Sequence, residues 1–274
     1  MSTNYEQPSL LIFSSCSFTG ERGNNEDNFY CDGIYPKCSG FSGAKGLSTI
    51  EASTVAAGMH LFAVCDGMGG EALGDVAASI ATDYVDSLHG RLKLNPTVDG
   101  YASLMESFYD SLNAYVIKTA AERKVSRIGT TIAVAAVINN ELYCSNVGDS
   151  KIFLYRDRRA LMLTNDDNAA YALYQNGEIS ERELDTHPDK AKLIQYIGKN
   201  DAPIQPHISK GVPLQKGDVI LLCSDGVTDG VSGKRLEDAI EKALKTDSVA
   251  STIVDKAYEG GSKDNITAIV VQYK

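Results

Sequence analysis

Residues Leu61–Glu71 read L-F-A-V-C-D-G-M-G-G-E, an apolar run that stops at an acid and continues into small, flexible residues. The pattern predicts a buried strand that ends at Asp66, a loose turn, and a helix that begins at about Glu71. The glycines of the turn permit positive φ angles and close backbone approach. Carboxylate and carbonyl oxygens there suit a hard cation such as magnesium or manganese. A plain strand-to-helix turn, with Asp66 as the helix cap, explains this segment alone equally well.

Acidic residues border three further apolar segments that lie far apart along the chain. They are Asp225 after Val219–Cys223, Asp264 before Ile266–Val271, and Glu26 with Asp27 before Phe29. One acid at a strand end carries little information. Four such sites predict strands whose ends converge on one pocket.

Convergence of these acids has an electrostatic consequence. Neighbouring carboxylates repel one another, and some would take up protons unless cations lie among them. Two divalent ions about 3.5–4 Å apart, bridged by a shared carboxylate, are a recurrent solution in phosphoryl chemistry. Arg22, near Glu26, is the candidate to hold the phosphate, because its planar guanidinium matches phosphate oxygens. Taken by itself, Arg22 is better explained as a surface arginine.

Seven motifs follow one another along almost the whole chain. They are T-G-E-R-G-N-N-E-D-N (Thr19–Asn28), V-C-D-G-M-G-G (Val64–Gly70), G-T-T-I-A-V-A-A-V (Gly129–Val137), V-G-D-S-K-I-F-L-Y-R (Val147–Arg156), L-T-N-D-D-N (Leu163–Asn168), L-L-C-S-D-G-V-T-D (Leu221–Asp229) and K-D-N-I-T-A-I-V-V (Lys263–Val271). With these motifs in this order, the chain resembles the metal-dependent protein serine/threonine phosphatases of the type 2C (PPM) family, in their compact bacterial form.

The resemblance implies a role for each matched residue. The metal ligands would be Asp27, Asp66, Gly67 through its carbonyl, Asp225 and Asp264. Asp66 would bridge two divalent cations, manganese or magnesium, while Glu26 and Asp27 would act mostly through metal-bound waters. Arg22 would bind the substrate phosphate, so that Arg22, Glu26 and Asp66 form the catalytic group.

The implied function is hydrolysis of phosphoserine and phosphothreonine in proteins by attack of a dimetal-bound hydroxide, without a phosphoenzyme. Two alternatives remain open at this stage. One is a catalytically silent module that binds phosphoproteins, and the other is a hydrolase of small phosphate esters on the same fold. The partners implied are phosphorylated proteins and an opposing serine/threonine kinase.

The chain departs from the family pattern at three places. Met68 stands where some relatives carry a histidine proposed as the general acid, and methionine cannot donate a proton. The chain has Asp166-Asp167 where an Asp-His pair is usual, so Asp167 takes the position of the histidine. No acid occurs in Val125–Ile128, where several relatives have an aspartate for a third metal, so a third site is doubtful. His187 could replace the missing acid, but a helix-ending His-Pro turn explains it better.

The expected fold class is α+β, a four-layer α-β-β-α sandwich of two mostly antiparallel sheets flanked by pairs of antiparallel helices. The predicted helices are Glu71–His89, Tyr101–Lys124, Gly233–Lys245 and Ser248–Tyr258. The segment Gly148–Ser150 is predicted to be a structural hairpin turn, and Ile34–Gly58 an exposed loop or hairpin excursion. Helical fragments are predicted at Ala169–Asn176, Ser180–Thr186 and Lys190–Ile197, within a flap of about residues 164–212.

Composition agrees with a single catalytic domain over residues 1–274. We expect a cytoplasmic monomer, since no apolar run approaches membrane-spanning length and the N-terminus lacks a signal-peptide pattern. The net charge of −10 argues against nucleic acid or an anionic membrane as a partner. The six cysteines lack a C-x-x-C pair, which argues against zinc ligation.

Overall fold

The computed structural model describes residues 9–36, 47–68, 73–94, 100–184 and 186–274. The strands are β1 (Leu10–Phe18), β2 (Asp27–Cys31), β3 (Leu47–Val55), β4 (Met59–Met68), β5 (Gly129–Thr130), β6 (Ile132–Ile138), β7 (Glu141–Val147), β8 (Lys151–Arg156), β9 (Arg159–Met162), β10 (His207–Ile208), β11 (Val212–Pro213), β12 (Val219–Cys223) and β13 (Ile266–Tyr273). The helices are α1 (Gly74–Leu94), α2 (Tyr101–Glu122), α3 (Ala169–Gln175), α4 (Glu181–Leu184), α5 (Asp225–Gly230), α6 (Gly233–Ala243) and α7 (Val249–Glu259). A short 3-10 helix spans Pro188–Ala191.

The strands form two antiparallel sheets. The first has the order β3-β1-β13-β12-β8-β9, and the second has the order β10-β7-β6-β4-β2, with β11 beside β7 and β5 beside β4. Within the first sheet, β1 pairs along its whole length with β3 on one side and β13 on the other. Strands from both ends of the sequence therefore lie side by side at the centre of this sheet.

Three apolar layers hold the sheets and helices together. Between the sheets, Phe13 of β1 meets Phe62 of β4 edge-to-face, with ring centroids 5.2 Å apart. Helices α1 and α2 cover the outer face of the second sheet, where Phe108 and Leu112 are buried. Helices α5, α6 and α7 cover the outer face of the first sheet. Each fully buried Phe or Leu side chain stabilises the fold by about 1.5–3 kcal/mol. The predicted four-layer α-β-β-α sandwich is confirmed.

The hairpin predicted from Asn139-Asn140 is confirmed. Both residues have positive φ, at 49° and 68°, and they join the paired strands β6 and β7. Positive φ at both central positions is what a two-residue type I′ turn requires, and asparagine tolerates it better than most residues. The four long helices also lie within a few residues of their predicted bounds, except that the predicted start at Glu71 falls outside the described residues.

The turn Gly148–Ser150 does not close a hairpin, contrary to the prediction. Its two flanking strands belong to different sheets, since β7 pairs with β6 and β8 pairs with β12. Gly148 has a φ of 98°, and a side chain there would strike Thr131. The turn therefore carries the chain from one sheet to the other across the edge of the core.

Two other stretches differ from the predictions. The segment predicted as a loop or hairpin excursion contains β3, a nine-residue strand, while residues 37–46 of that segment lie outside the described residues. Only the first two residues of the predicted helix Lys190–Ile197 are helical, within the 3-10 helix. Beyond them, Leu193 forms an isolated bridge with Asn168 and Ile197 with Thr130. Extended pairing with the core replaces the predicted helical periodicity there. Among the described helices, none is long and apolar enough to cross a bilayer.

Candidate functional site

A cavity of about 520 Å³ opens where the ends of β4, β12 and β13 meet. Six of the seven residues predicted to form the site line it: Arg22, Glu26, Asp66, Gly67, Asp225 and Asp264. The further lining residues include Met68, Thr131, Asp149, Ala191 and Leu193. The acids that lie far apart in the sequence are therefore brought to one place.

The backbone around Asp66 is held by the Gly-Thr-Thr motif. Thr131 donates its amide N–H to the Asp66 carbonyl at 2.8 Å, and its hydroxyl accepts from the Asp66 amide at 3.1 Å. The Thr130 hydroxyl donates to the same carbonyl at 2.9 Å. Strand β4 continues to Met68, so Asp66 lies within the strand rather than at its end as predicted. Its carboxylate is thereby held on rigid sheet structure instead of on a loop.

Two distant motifs are joined beside the cavity. The amide of Glu26 donates to Asn265 Oδ1 at 2.8 Å, and the Asn265 side-chain amide donates to the carbonyls of Thr19 and Asn24. Asp225 begins helix α5, a short helix that the sequence did not indicate, directly after the buried strand β12. The hydrogen bonds of Asn265 hold the start of β2 against the start of β13.

Gly67 lies where the chain has no room for a side chain. A Cβ atom there would be 2.2 Å from the Gly74 carbonyl oxygen and 2.5 Å from that of Glu26. The Gly67 amide also donates to the Glu26 carbonyl at 3.1 Å. The backbones at Glu26, Gly67 and Gly74 pack so closely that only glycine fits after Asp66.

Arg22 is paired with one of the predicted metal ligands. Its guanidinium donates to Asp264 Oδ2 at 2.6 Å, and 60% of its side chain is exposed. The attraction of Asp264 raises the pKa of Arg22. An anion that enters the cavity would compete with Asp264 for Arg22, and a cation would compete with Arg22 for Asp264. The ion pair can therefore open when ligands bind.

Asp27 differs from the other predicted ligands, since it is not among the residues that line the cavity. It lies opposite Asp66 in the β2–β4 pairing and is buried. Its Oδ2 accepts hydrogen bonds from Ser224 at 2.8 Å and from Thr267 at 2.6 Å, whereas its Oδ1 has no partner. Burial raises the pKa of Asp27 to about 7 despite these hydrogen bonds.

The carboxylates of the cavity are buried and crowded, and both effects raise their pKa values. Burial, followed by repulsion from Asp27 and Asp225, raises the pKa of Asp66 well above its usual value. Burial and the charge of Asp229 raise the pKa of Asp225 to about 6. Positive charge among these groups would relieve the repulsion, so the electrostatics favour a bound cation.

The donor atoms fit a hard divalent cation. They are carboxylate oxygens and the carbonyl of Gly67, and Asp225 Oδ1 is buried without a hydrogen-bond partner. Among the described residues, however, no three His, Cys, Asp or Glu side chains converge closely enough to hold an ion as they stand. Binding therefore requires side chains to move, and Asp264, which is paired with Arg22, is the clearest case.

Asp149 lines the cavity, although the sequence analysis assigned its turn a purely structural role. Burial, and then repulsion from Asp225, raises its pKa to about 8. Behind it, buried Lys151 donates to the Asp149 carbonyl at 2.8 Å and pairs with Asp166 at 2.9 Å. The available signal was an acid that follows an apolar strand, the same signal that identified Asp66 and Asp225.

Other predicted features lie outside the cavity. His187 is not among the lining residues, and its Nδ1 accepts from the Asp189 amide at 3.2 Å, as a capping residue does. In the segment before Gly129, Ile128 is buried in the core and Arg127 stacks over the Tyr196 ring at 5.6 Å. That segment packs against the core and the Tyr196 ring, and the doubtful third metal site stays a prediction that this packing does not test.

Comparison with known proteins gives consistent results. The family model described as Protein phosphatase 2C matches residues 45–172. Protein phosphatase PhpP of Streptococcus pneumoniae is 31% identical over 218 residues, which cover 78% of this chain and 86% of PhpP. Serine/threonine phosphatase stp of Listeria welshimeri is 29% identical over 211 residues, which cover 76% of this chain and 82% of that protein.

Solved structures show the same fold. The Mycobacterium tuberculosis serine/threonine phosphatase PstP/Ppp superposes with a TM-score of 0.74 at 25% identity, over 96% of this chain and 98% of that one. A structure of the PstP catalytic domain, described as a complex with two manganese ions, gives a TM-score of 0.71 at 24% identity, over 97% and 99% of the two chains.

Proposed function

This chain belongs to the protein phosphatase 2C family, and from that membership we propose that the cavity between its two sheets is the catalytic centre. The chain is a metal-dependent protein serine/threonine phosphatase, a hydrolase that acts on phosphorylated proteins. The observation that carries the proposed site is the meeting of Arg22, Glu26, Asp66, Asp225 and Asp264, from four separate segments, around one cavity.

We assign the metal ligands to Asp66, the Gly67 carbonyl, Asp225 and Asp264, with Asp27 supporting them from behind through Ser224 and Thr267. Two manganese or magnesium ions are proposed, because the similar catalytic domain of PstP is described in complex with two manganese ions. When bound, such ions lower the pKa of a coordinated water and take up charge on the phosphoryl group.

The protein's own groups bind and orient the substrate. Arg22 holds the phosphate through its guanidinium, which releases Asp264 to ligate a metal ion. Burial, and then the charge of Asp75, raises the pKa of Glu26, whose half-buried carboxyl group orients the attacking water. Met68 cannot protonate the leaving serine or threonine oxygen, so that proton comes from a group other than residue 68.

The lining of the cavity favours a protein substrate over a small ester. Among the described residues that line it, the large apolar side chains are Met68 and Leu193, and the others are mostly charged, polar or glycine. Tight small-molecule pockets are lined mainly by apolar and aromatic side chains. The phosphate is therefore recognised by charge, and the rest of a substrate makes contacts outside the cavity.

The remaining assignments are proposals that follow from this function. Residues 1–274 are proposed to form one catalytic domain, supported by the apolar layer between the sheets, to which both sheets contribute. The enzyme acts as a cytoplasmic monomer that opposes a serine/threonine kinase, and it uses neither nucleic acid nor membrane as a partner. We propose no third metal ligand in Val125–Ile128, because this segment contains no acid.

The test is release of phosphate from a phosphothreonine peptide with manganese, with magnesium and with a chelator. We expect metal-dependent release that Asp66→Asn reduces by a factor on the order of 10³, the scale for loss of a group that stabilises charge in the transition state. Asp110→Asn, on the exposed face of α2, is the matched control and should retain full activity. Full activity in Asp66→Asn, or release that persists with chelator, would refute the assigned site.

A further inference from the structure

Asp167 binds three separate parts of the chain through one buried carboxylate. Only 3% of the residue is exposed. Its Oδ2 accepts from the Gly148 amide at 2.9 Å. Its Oδ1 accepts from Gln195 Nε2 at 2.9 Å and from His207 Nε2 at 2.9 Å. All of these donors are positioned for a charged acceptor, which makes strong hydrogen bonds.

Backbone hydrogen bonds reinforce the same connections. The Asp167 amide donates to the Gly148 carbonyl at 3.1 Å, and the Asp167 carbonyl accepts from the Ile194 amide at 2.8 Å. The next residue, Asn168, forms an isolated bridge with Leu193, which lines the cavity. Asp167 thus lies between the fixed Gly148 turn and the flap segment that forms one wall of the site.

The C-terminal part of the flap, which contains Gln205 and His207, is also connected to Asp167. The Gln205 amide donates to Gln195 Oε1 at 2.9 Å, and His207 belongs to β10, which pairs with β7 of the core. His207 also lies 3.5 Å from the Asn165 side chain. The hydrogen bond to Asp167 raises the pKa of His207.

We propose that Asp167 is a positioning residue that clamps the flap to the Gly148 turn, and that the clamp sets the place of the Leu193 wall against which a peptide substrate packs. This rests on the function proposed above. Leu193 is not a metal ligand. Loss of the clamp therefore affects recognition of a peptide more than hydrolysis of the phosphate itself. A purely structural role for the buried carboxylate would instead affect all substrates equally, through stability.

The test compares a phosphothreonine peptide with p-nitrophenyl phosphate, which is too small to span from the cavity to the flap. Asp167→Asn keeps the size and shape of the side chain but removes its charge. It also places an amide NH2 group, which cannot accept a hydrogen bond, near the donors of Gln195 and His207. We expect the KM for the peptide to rise about tenfold, equivalent to one or two lost hydrogen bonds to a charged group. The kcat for the peptide and the hydrolysis of p-nitrophenyl phosphate should change by less than about threefold. Asp189→Asn, at a flap aspartate outside this cluster, is the control.

A reciprocal exchange separates the clamp from general stability. Asp167→His and His207→Asp are each expected to raise the peptide KM, and the double variant should recover at least half of that loss, because it restores an imidazole–carboxylate pair. If Asp167→Asn does not fold, Gln195→Ala and His207→Asn remove single contacts of the same clamp. Equal losses with both substrates, or a double variant no better than the singles, would overturn the proposal.

A readout independent of activity distinguishes this proposal from the function on which it rests. Trypsin should cleave Asp167→Asn faster than wild type at Lys192 and Lys199 in the flap. If wild-type protein released no phosphate but the variant were cleaved faster, the phosphatase assignment would fail while the clamp stood. If cleavage were unchanged, the clamp itself would be refuted, whatever the activity.

Discussion

Gly67 allows a direct test of close packing at the site. In Gly67→Ala the new methyl group would lie 2.2 Å from the Gly74 carbonyl oxygen and 2.5 Å from that of Glu26, so the backbone of β4 or the start of α1 has to move. Overpacking of this kind costs about 1–3 kcal/mol. We expect a lower midpoint of thermal unfolding together with loss of metal-dependent phosphate release.

Gly90, inside α1, is the matched control for that substitution. A Cβ atom there would meet no atom within 4 Å. Alanine is favoured over glycine in a helix by about 1 kcal/mol, so Gly90→Ala should raise the unfolding midpoint and leave activity unchanged. Should both alanine variants behave alike, the steric argument for Gly67 would be wrong.

A buried group of titratable residues at the other end of β4 predicts how stability depends on pH. His60 Nδ1 lies 3.0 Å from Asp32 Oδ2, and His89 Nε2 lies 3.2 Å from Asp32 Oδ1. Tyr30 OH lies 2.7 Å from His89 Nδ1 and donates to Asp86 at 3.0 Å. Burial lowers the pKa of His89, and the charges of Lys93 and His60 lower it further, against the attraction of Asp32.

The sign of the effect follows from that shift. Between the lowered pKa of folded His89 and the value of about 6.5 in the unfolded chain, the unfolded state binds more protons, so stability falls as pH falls. We expect His89 to contribute a fall in stability between pH 7.5 and pH 5.5. The raised pKa values of Asp27 and Asp149 act in the opposite direction, so the His89 contribution is measured as the difference in thermal midpoint between wild type and His89→Gln across this range. Equal pH dependence in wild type and variant would show that His89 is not responsible.

At the scale of elements, the flap is fastened to helix α2 as well as to the Gly148 turn. Asn113 of α2 accepts from the Gly198 amide at 2.7 Å and donates to the Lys199 carbonyl at 3.1 Å. Asn113→Ala removes both bonds and should cost about 1–3 kcal/mol of stability. Faster tryptic cleavage after Lys199 is the expected sign. Glu106→Ala, on the exposed face of the same helix, should be cleaved like wild type.

Elements were predictable from the sequence where local signals decide them. The apolar run before Asp66 and the Asn139-Asn140 turn each carry their own periodicity or turn chemistry. The strand and the turn are both present, although the strand continues past Asp66 to Met68. Strand β3 was missed because its sequence is rich in serine and threonine, and its pairing with β1 is a tertiary choice. The turn at Gly148 was interpreted as a hairpin because nothing local reveals that its flanking strands join different sheets.

The candidate site was predictable to a similar extent. Acids that border apolar runs identified Asp66, Asp225 and Asp264, since strand ends must be where polar side chains meet. The pairing of Arg22 with Asp264 was not foreseeable, because it joins residues 242 positions apart. The burial of Asp27 behind the cavity likewise depends on hydroxyl groups from β13 and from the residue before α5.

For the whole molecule, bound cations would connect the two sheets. Asp66 belongs to the second sheet, whereas Asp225 and Asp264 adjoin strands of the first. Manganese at a hundred times its dissociation constant should stabilise the fold by about 2.7 kcal/mol and raise the unfolding midpoint by roughly 5–10 °C. Asp66→Asn should shrink this shift. An unchanged midpoint with manganese, or an equal shift in the variant, would contradict the ligand assignment.

The pairing of β1 with β13 has a consequence for the biosynthesis of the enzyme. Strand β1 leaves the ribosome early, but its central neighbour β13 begins at Ile266, directly after Asp264 and Asn265. Until that stretch has emerged, the first sheet lacks its middle strand and the cavity lacks one of its acids. A nascent chain therefore cannot remove phosphate before β13 has left the ribosome, and catalytic competence arrives in a single step rather than gradually.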